Sequence, residues 1–291
     1  MVTRWLGCVR GQTTALPCGA PRSRYQVTIA YNSGMATYVM DDAICLRVVD
    51  FSETSQIVGM FTRRHGMVPM IAKGAKRESK RTSSSGPLDL LTSGEVVFVP
   101  AKSGGELSLL SKWELVNHRT MLRKDLAALN GAMMGAEVTA MLMVPQDPHE
   151  ALYEELEAML ELVGRGRQER MRGVVAYVKA GLVEAGYGPV LEACVMCGRG
   201  TGDEEVRFVP VAGGIVCPRC GGSEGVAVSG RIAVALERLP RPRVMAVTPP
   251  AREAEGGALA KAMEILLTQV EVITDKRVKT RSLMGNVFGV G

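Results

Sequence analysis

Between residues 43 and 115 the apolar positions come in short runs bounded by turn residues. Ile44, Leu46 and Val48 alternate with Ala43, Cys45 and Arg47, while residues 57–61 and 67–72 are apolar runs joined through Arg63-Arg64-His65-Gly66. The glycine supplies the positive φ that a tight hairpin needs. Residues 96–99 and 107–115 complete the set. Five short antiparallel strands in about 75 residues suit a small closed barrel, and the five-stranded OB fold is the expected architecture for residues 40–118.

After residue 118 the period changes from two to three and four. Leu122, Leu126, Leu129, Met133 and Ala140 predict an amphipathic helix that ends before Pro145. Asp147-Pro148-His149-Glu150 then reads as an N-cap, a proline at the first helical position and a glutamate at the third. The helix it opens carries Leu152, Leu156, Met159, Leu160 and Val163 on one face and stops at Gly164. His149 with Glu154, Glu155 and Glu157 invites an acid–base reading. Glu154, Glu157 and Glu161, however, lie three and four apart, the spacing of a solvated helix face. A third helix carries Met171, Val174, Val175, Val178, Leu182 and Ala185 and stops at Gly186. Residues 228–239 predict a helix, 240–257 a Pro- and Gly-rich connector, and 259–273 a last helix.

The fold class this implies is α+β and multidomain: an N-terminal OB-fold β-barrel, then an α-helical domain with an inserted four-cysteine zinc module. The expected division is 40–118 for the barrel, 119–190 for helices, 191–225 for the zinc module and 226–291 for helices completing the helical domain. Residues 1–39 show neither strand alternation nor a helical stripe. They read as a disordered basic arm or as upstream sequence ahead of a start at Met35 or Met40.

Charge adds little. The net charge is +5, but Arg4, Arg10, Arg22 and Arg24 precede the first acid, Asp41, which leaves +1 for the remainder. Polyanion binding must therefore come from local patches. One such patch is Lys73-Gly74-Ala75-Lys76-Arg77-Glu78-Ser79-Lys80-Arg81, followed by the loop-forming Thr82-Ser83-Ser84-Ser85-Gly86. A cationic barrel loop can follow a phosphate backbone, or simply be a solvated surface loop. Lys73, Lys76, Arg77, Lys80 and Arg81 are the candidate phosphate contacts, with Arg63 and Arg64 on the neighbouring hairpin. Base stacking needs aromatics, and residues 40–118 offer only Phe51, Phe61, Phe98 and Trp113; Phe61 and Phe98 lie in apolar runs and read as core.

The strongest chemical signal is Cys194-x-x-Cys197, nineteen residues, then Cys217-x-x-Cys220, with Gly198 and Gly221 directly after each pair. Four thiolates at roughly 2.3 Å make a tetrahedral zinc site. Paired redox dithiols and an iron–sulfur cluster are the rival readings, and both favour other arrangements. Four cysteines leave no open ligand position, so one structural zinc is expected and no catalytic residue is assigned. The leftover Cys8, Cys18 and Cys45 form no paired spacing, which suits a reducing, cytoplasmic compartment. No apolar run reaches the length of a membrane helix.

Two stretches carry a family resemblance. Phe61-Thr62-Arg63-Arg64-His65-Gly66 followed by Ala72-Lys73-Gly74-Ala75-Lys76-Arg77 resembles the amino-terminal domain of the bacterial recombination mediator family RecO. Leu182-x-x-x-Gly186-Tyr187-x-Pro189-x-Leu191-x-x-Cys194-x-x-Cys197-Gly198, then Phe208-x-Pro210-x-x-Gly213-Gly214-x-x-Cys217-Pro218-x-Cys220, is similar to that family's zinc region. Lys279-Thr280-Arg281-Ser282 is similar to its closing helix and turn, so the resemblance spans residues 40–285 or so.

The resemblance implies a non-enzymatic role in DNA repair and homologous recombination, localised to the cytoplasm and its nucleoid. It implies binding to single- and double-stranded DNA, annealing of complementary strands, and loading of RecA on DNA coated with single-strand-binding protein, together with RecR and in some cases RecF. The acidic, hydrophobic-ended tail of the single-strand-binding protein is expected on the helical domain, with Arg119, Arg123 and Lys124 as anchors. Two other classes compete. A zinc-ribbon transcription or translation factor would read nucleic acid with the zinc module, yet Arg199, Arg207 and Arg219 are offset there by Asp203, Glu204 and Glu205. A zinc-dependent nucleic-acid enzyme would need an open ligand position or a phosphate loop, and the sequence has neither motif.

Overall fold

The computed structural model describes residues 27–31, 34–76, 88–102, 105–221, 224–247 and 256–289. The barrel opens with a hairpin of β1 (Val27–Tyr31) and β2 (Gly34–Asp50), so regular pairing begins before Met40, inside the region whose sequence showed no strand pattern. Strands β3 (Gln56–Thr62), β4 (Gly66–Ala72), β5 (Ser93–Val99) and β6 (Ser108–Asn117) follow. Their order β2-β3-β4-β6-β5 closes through a second pairing of β2 with β5, and β4 pairs with β6 in parallel. Closure leaves no free edge among these five strands, the arrangement expected of an OB barrel.

Inward positions alternate along the strands as a period of two demands. Val58 and Met60 on β3 and Val68, Met70 and Ala72 on β4 fill the interior with Val96, Phe98 and Trp113. The outward face of β2 and β3 has a different fate at each end. Ile44 and Phe61 are cross-strand partners, fully buried, and belong to the core of the helical domain. Their counterparts at the other end, Val49 and Ile57, lie outside that core; Ile57 is half-buried and Val49 is 41% exposed.

The helical domain is built from α1 (Leu126–Leu142), α2 (Glu150–Leu162) and α3 (Arg167–Glu184). The expected stripe on α1 is corrected. Leu126 and Ala140 are exposed, while Ala128, Ala132, Met134, Ala136 and Val138 are buried. The helix lies in the middle of the domain and is covered on several sides, so a single apolar stripe misreads it. Gly135 faces Met159 and Tyr177, where an added Cβ would come within 2.3 Å of the Met159 Cε. The N-cap of α2 is His149 rather than Asp147. The apolar face of α2 is as read, with Leu152, Leu156, Met159, Leu160 and Val163 all buried. Helix α3 ends as expected at Gly186 (φ 81°), where the Tyr187 and Gly186 N–H groups donate to the Leu182 and Val183 carbonyls in a Schellman turn.

A three-stranded sheet, β7 (Glu205–Val209), β8 (Gly214–Val216) and β9 (Val226–Ser229), carries the cysteine module. Residues 228–229 thus end a strand paired with β7, and the helix expected there begins only at α4 (Gly230–Glu237). The connector also holds a short helix, α5 (Pro242–Val247). The long α6 (Gly256–Thr274), a 3-10 turn (Lys279–Leu283) and α7 (Met284–Phe288) complete the domain. Phe208 of β7 is fully buried in the same core as α6, which ties the module to the helices. No helix among the described residues is long and apolar enough to cross a membrane.

Candidate nucleic-acid interface and metal centre

Strand direction places the predicted DNA contacts at opposite ends of the barrel. The β3–β4 turn holds Arg63, Arg64 and His65, whereas Lys73 and Lys76 follow the far end of β4. The seven residues of β4 separate the two ends, by roughly 20 Å at the rise of a strand. Arg77, Lys80 and Arg81 lie outside the described residues.

The near end is built into the molecule. Asp41, buried at 3%, accepts hydrogen bonds from the Asp42 and Arg64 N–H groups, and its Oδ2 lies 2.7 Å from His65 Nδ1. Gly66 (φ 63°) passes so close to the α1–α2 connection that an added Cβ would lie 2.0 Å from the Asp147 carbonyl oxygen. Arg63 reaches across to α2, 2.7 Å from Glu154 and 3.3 Å from Glu150, with its guanidinium 4.9 Å from the Tyr153 ring centroid. Arg63 therefore serves the joint between the two domains.

Of the glutamates read as a solvated face of α2, Glu161 is exposed as expected, but Glu154 and Glu157 are half-buried and engaged by other elements. Glu154 pairs with Arg63 and Arg243; Glu155, buried at 4%, accepts from the Arg243 N–H and approaches Arg241; Glu157 pairs with Arg119. Arg119 is itself 6% exposed and also donates to Ser93. It is a buried strut rather than an anchor for a partner. Arg123 is committed to Asp89 and the His118 carbonyl, and Lys124 is exposed.

The far end is open. Two connections meet there: the β2–β3 turn and the start of the β4–β5 loop. The Lys76 N–H donates to the Thr54 carbonyl at 3.1 Å, and its ammonium lies 2.6 Å from Asp50, stitching the two together. This hydrogen bond holds the Asp50 carboxyl below its ordinary range. Lys73 is exposed on the adjoining loop and Arg47 on β2, whereas Lys102 is exposed on the β5–β6 loop, which leads into a strand parallel to β4 and so lies back toward the β3–β4 turn. Sequence reading missed Arg47. Arg47 follows a register shift between Cys45 and Arg47 that an alternating pattern does not reveal.

The four cysteine Sγ atoms all lie within 4.8 Å of one another, with Cys194 and Cys217 buried and Cys197 and Cys220 exposed. Each pair sits on a tight turn: the Gly198 N–H donates to the Cys194 carbonyl, and the Gly221 and Cys220 N–H groups to that of Cys217. Gly198 takes φ 71°, a conformation that a Cβ would strain. Cys197 and Cys217 Sγ are 3.8 Å apart. Around a tetrahedral ion with bonds of roughly 2.3 Å, the edge between ligands is roughly 3.8 Å.

The protonation balance points the same way. Burial pushes the Cys194 thiol up, but N–H groups of Cys217, Met196 and Cys197 outweigh it and bring the value down to about 6. Cys220 is pushed up to about 12, first by its hydrogen bonds to Cys197 and Cys217 and then by burial and their charge. Thiolates crowded in this way need a cation to ionise together. The quartet could hold one metal ion and leaves no ligand position open.

Together these features define a class: a closed five-stranded barrel fused to a helical domain that carries a four-cysteine module able to hold a metal ion. Models of two domains of one family match the chain, "Recombination protein O N terminal" over residues 35–119 and "Recombination protein O C terminal" over residues 123–264. The chain belongs to the RecO family. A "DNA repair protein RecO" of Symbiobacterium thermophilum is 32% identical over 188 residues, 64% of this chain and 72% of that protein. Proteins of the same description are similar from Rhodopirellula baltica, 34% identical over 61% of this chain and 65% of that protein, and from Moorella thermoacetica, 31% identical over 63% and 67%. The family is one of DNA repair and recombination.

Proposed function

We propose that this chain is a non-catalytic mediator of homologous recombination. It binds single- and double-stranded DNA, anneals complementary strands, and with RecR loads RecA onto DNA coated with single-strand-binding protein, RecF assisting in some settings. The observation that supports the DNA-binding part is the far end of β4, where Lys73 and Lys76 follow the strand beside the β2–β3 turn. Arg77, Lys80 and Arg81 extend the same loop in the sequence and join the proposed contact set. Cations there neutralise phosphates and release counterions, which favours any strand regardless of sequence. Arg64 lies at the opposite end of the hairpin and is a weaker member of the set. Arg63 is committed to Glu154 and leaves it.

The metal in this reading is one structural zinc held by Cys194, Cys197, Cys217 and Cys220. The thiolates fit zinc by softness and by number. Zinc supplies folding energy to the β7–β9 module and takes no part in chemistry. The place of action is the cytoplasm, at the nucleoid.

The experiment is an annealing assay with complementary oligonucleotides, bare and coated with single-strand-binding protein, with and without RecR. Accelerated annealing without strand cleavage supports the mediator reading. Cleavage, or no effect on either substrate, overturns it.

A further inference from the structure

The outward face of β2, β3 and β4 runs the length of the barrel, and the helices cover only half of it. At the covered end it carries Ile44, Phe61 and Met67. At the open end the same alternation brings up Val49, Ile57 and Ile71, which are neighbours across the three strands. Beyond them, on the β2–β3 turn, stands Phe51, 61% exposed. Phe61, Phe98 and Trp113 are all at 3% or below, and Tyr38 is half-buried on the β1–β2 hairpin, paired across from Val27. Phe51 is therefore the barrel's exposed phenylalanine among the described residues, and it stands beside the cationic loop.

The turn that carries this ring is pre-formed. The N–H groups of Phe51 and Ser52 donate to the Ser55 carbonyl at 3.0 and 3.3 Å, and the Ser55 N–H donates to the Ser52 hydroxyl at 3.1 Å. The Lys76 bridge to Thr54 and Asp50 fixes the neighbouring loop against it. Arg47, exposed on β2, is the cross-strand partner of Gly59, where an added Cβ would lie 3.2 Å from that of Arg47. Cations thus rim an apolar patch, Arg47 on one side and Lys73 and Lys76 on the other. The acids beside them are Asp50, held by Lys76, and the exposed Glu53.

An apolar face with a fixed aromatic and a cationic rim is complementary to unpaired bases on a phosphate backbone, since stacking needs an accessible ring and the charges follow the strand. In a duplex the base faces are already stacked and out of reach. We propose that Phe51 is a stacking contact for the unpaired bases of single-stranded DNA, giving the barrel a preference for single strands that its cations alone do not supply. This rests on the proposal that the barrel binds DNA.

The test compares the full chain with Phe51→Ala and Phe51→Trp by anisotropy on labelled oligo-dT and on a duplex of equal length. Phe51→Ala is expected to weaken single-strand binding about tenfold and to leave duplex binding unchanged. Phe51→Trp is expected to keep single-strand affinity and to show indole fluorescence quenched by oligo-dT. Thermal unfolding should be unchanged in both, because the ring is exposed. Equal weakening on both DNAs, or none on either, overturns the stacking role and leaves DNA binding by the barrel intact. Binding to neither DNA by the unsubstituted chain overturns the underlying proposal. Self-association that Phe51→Ala abolishes, with single-strand affinity unchanged, assigns the face to a second copy of the chain and overturns the inference.

Discussion

Arg63 and Glu154 lie 91 positions apart in the chain and meet at 2.7 Å across the joint between barrel and helical domain. Each side chain is 26% exposed, and the Tyr153 ring packs against the guanidinium. Phe61, two residues before Arg63, packs on the same tyrosine at 5.9 Å between centroids. One end of the barrel is thereby fixed to α2.

This joint predicts a measurable coupling. Arg63→Ala should cost about 2 kcal/mol, because it removes an ion pair and a cation–π interaction from a partly buried site. A double-mutant cycle with Glu154→Gln should show about 1 kcal/mol of interaction in urea unfolding. Additive effects, within about 0.3 kcal/mol, would mean that the pair does not hold the domains together. DNA affinity should change little in Arg63→Ala, since the residue sits at the end away from Lys73.

Helix α1 begins at Asp125, whose carboxylate accepts from the Ala127 and Ala128 N–H groups and pairs with Arg170 at 2.9 Å. Desolvation alone would raise its pKa, but the N–H groups and the Arg170 charge outweigh it and hold the value below the ordinary 3.8. A depressed carboxyl pKa gives stability that is present above the unfolded value and lost as pH falls through the folded one. Asp125→Ala should therefore cost about 1 kcal/mol at pH 7, and the gap should narrow as the pH falls below the ordinary carboxyl value of 3.8. A gap unchanged in acid would contradict the charged cap.

Metal analysis of the purified chain should give one zinc per molecule. Cys197→Ser should abolish it and lower stability by about 3 kcal/mol, roughly 10 °C in the thermal midpoint. Phe208→Ala, with the quartet intact, should retain zinc yet cost about 3 to 5 kcal/mol, because the fully buried ring anchors the module to the helices. Zinc retained by Cys197→Ser would contradict the quartet as the ligand set.

What the sequence made legible were features with short periods or strong spacing. The barrel strands follow from alternation, the α2 face from Leu152, Leu156 and Met159, and the quartet from two Cys-x-x-Cys-Gly turns. The misreadings share one cause, which is that the deciding partner is distant in sequence. Glu154 and Glu157 look solvated until Arg63, Arg119 and Arg243 arrive from other elements. Leu126 looks like a core position, yet it is exposed on a helix buried mainly through Ala128, Ala132 and Val138. Val228 fits a helical pattern, but β7 claims it as a strand partner of Val206. The exposure of Phe51 follows from which half of the barrel face the helices cover, and no local pattern carries that information.

The most direct test of DNA binding at the open barrel end is its salt dependence in the full chain with Lys73, Lys76, Arg77, Lys80 and Arg81 replaced by alanine. Binding should weaken to single and double strands alike. The slope of log affinity against log salt should also flatten by about 0.7 to 0.9 for each phosphate that is no longer neutralised. An unchanged slope would show that this end of the barrel does not meet the DNA backbone.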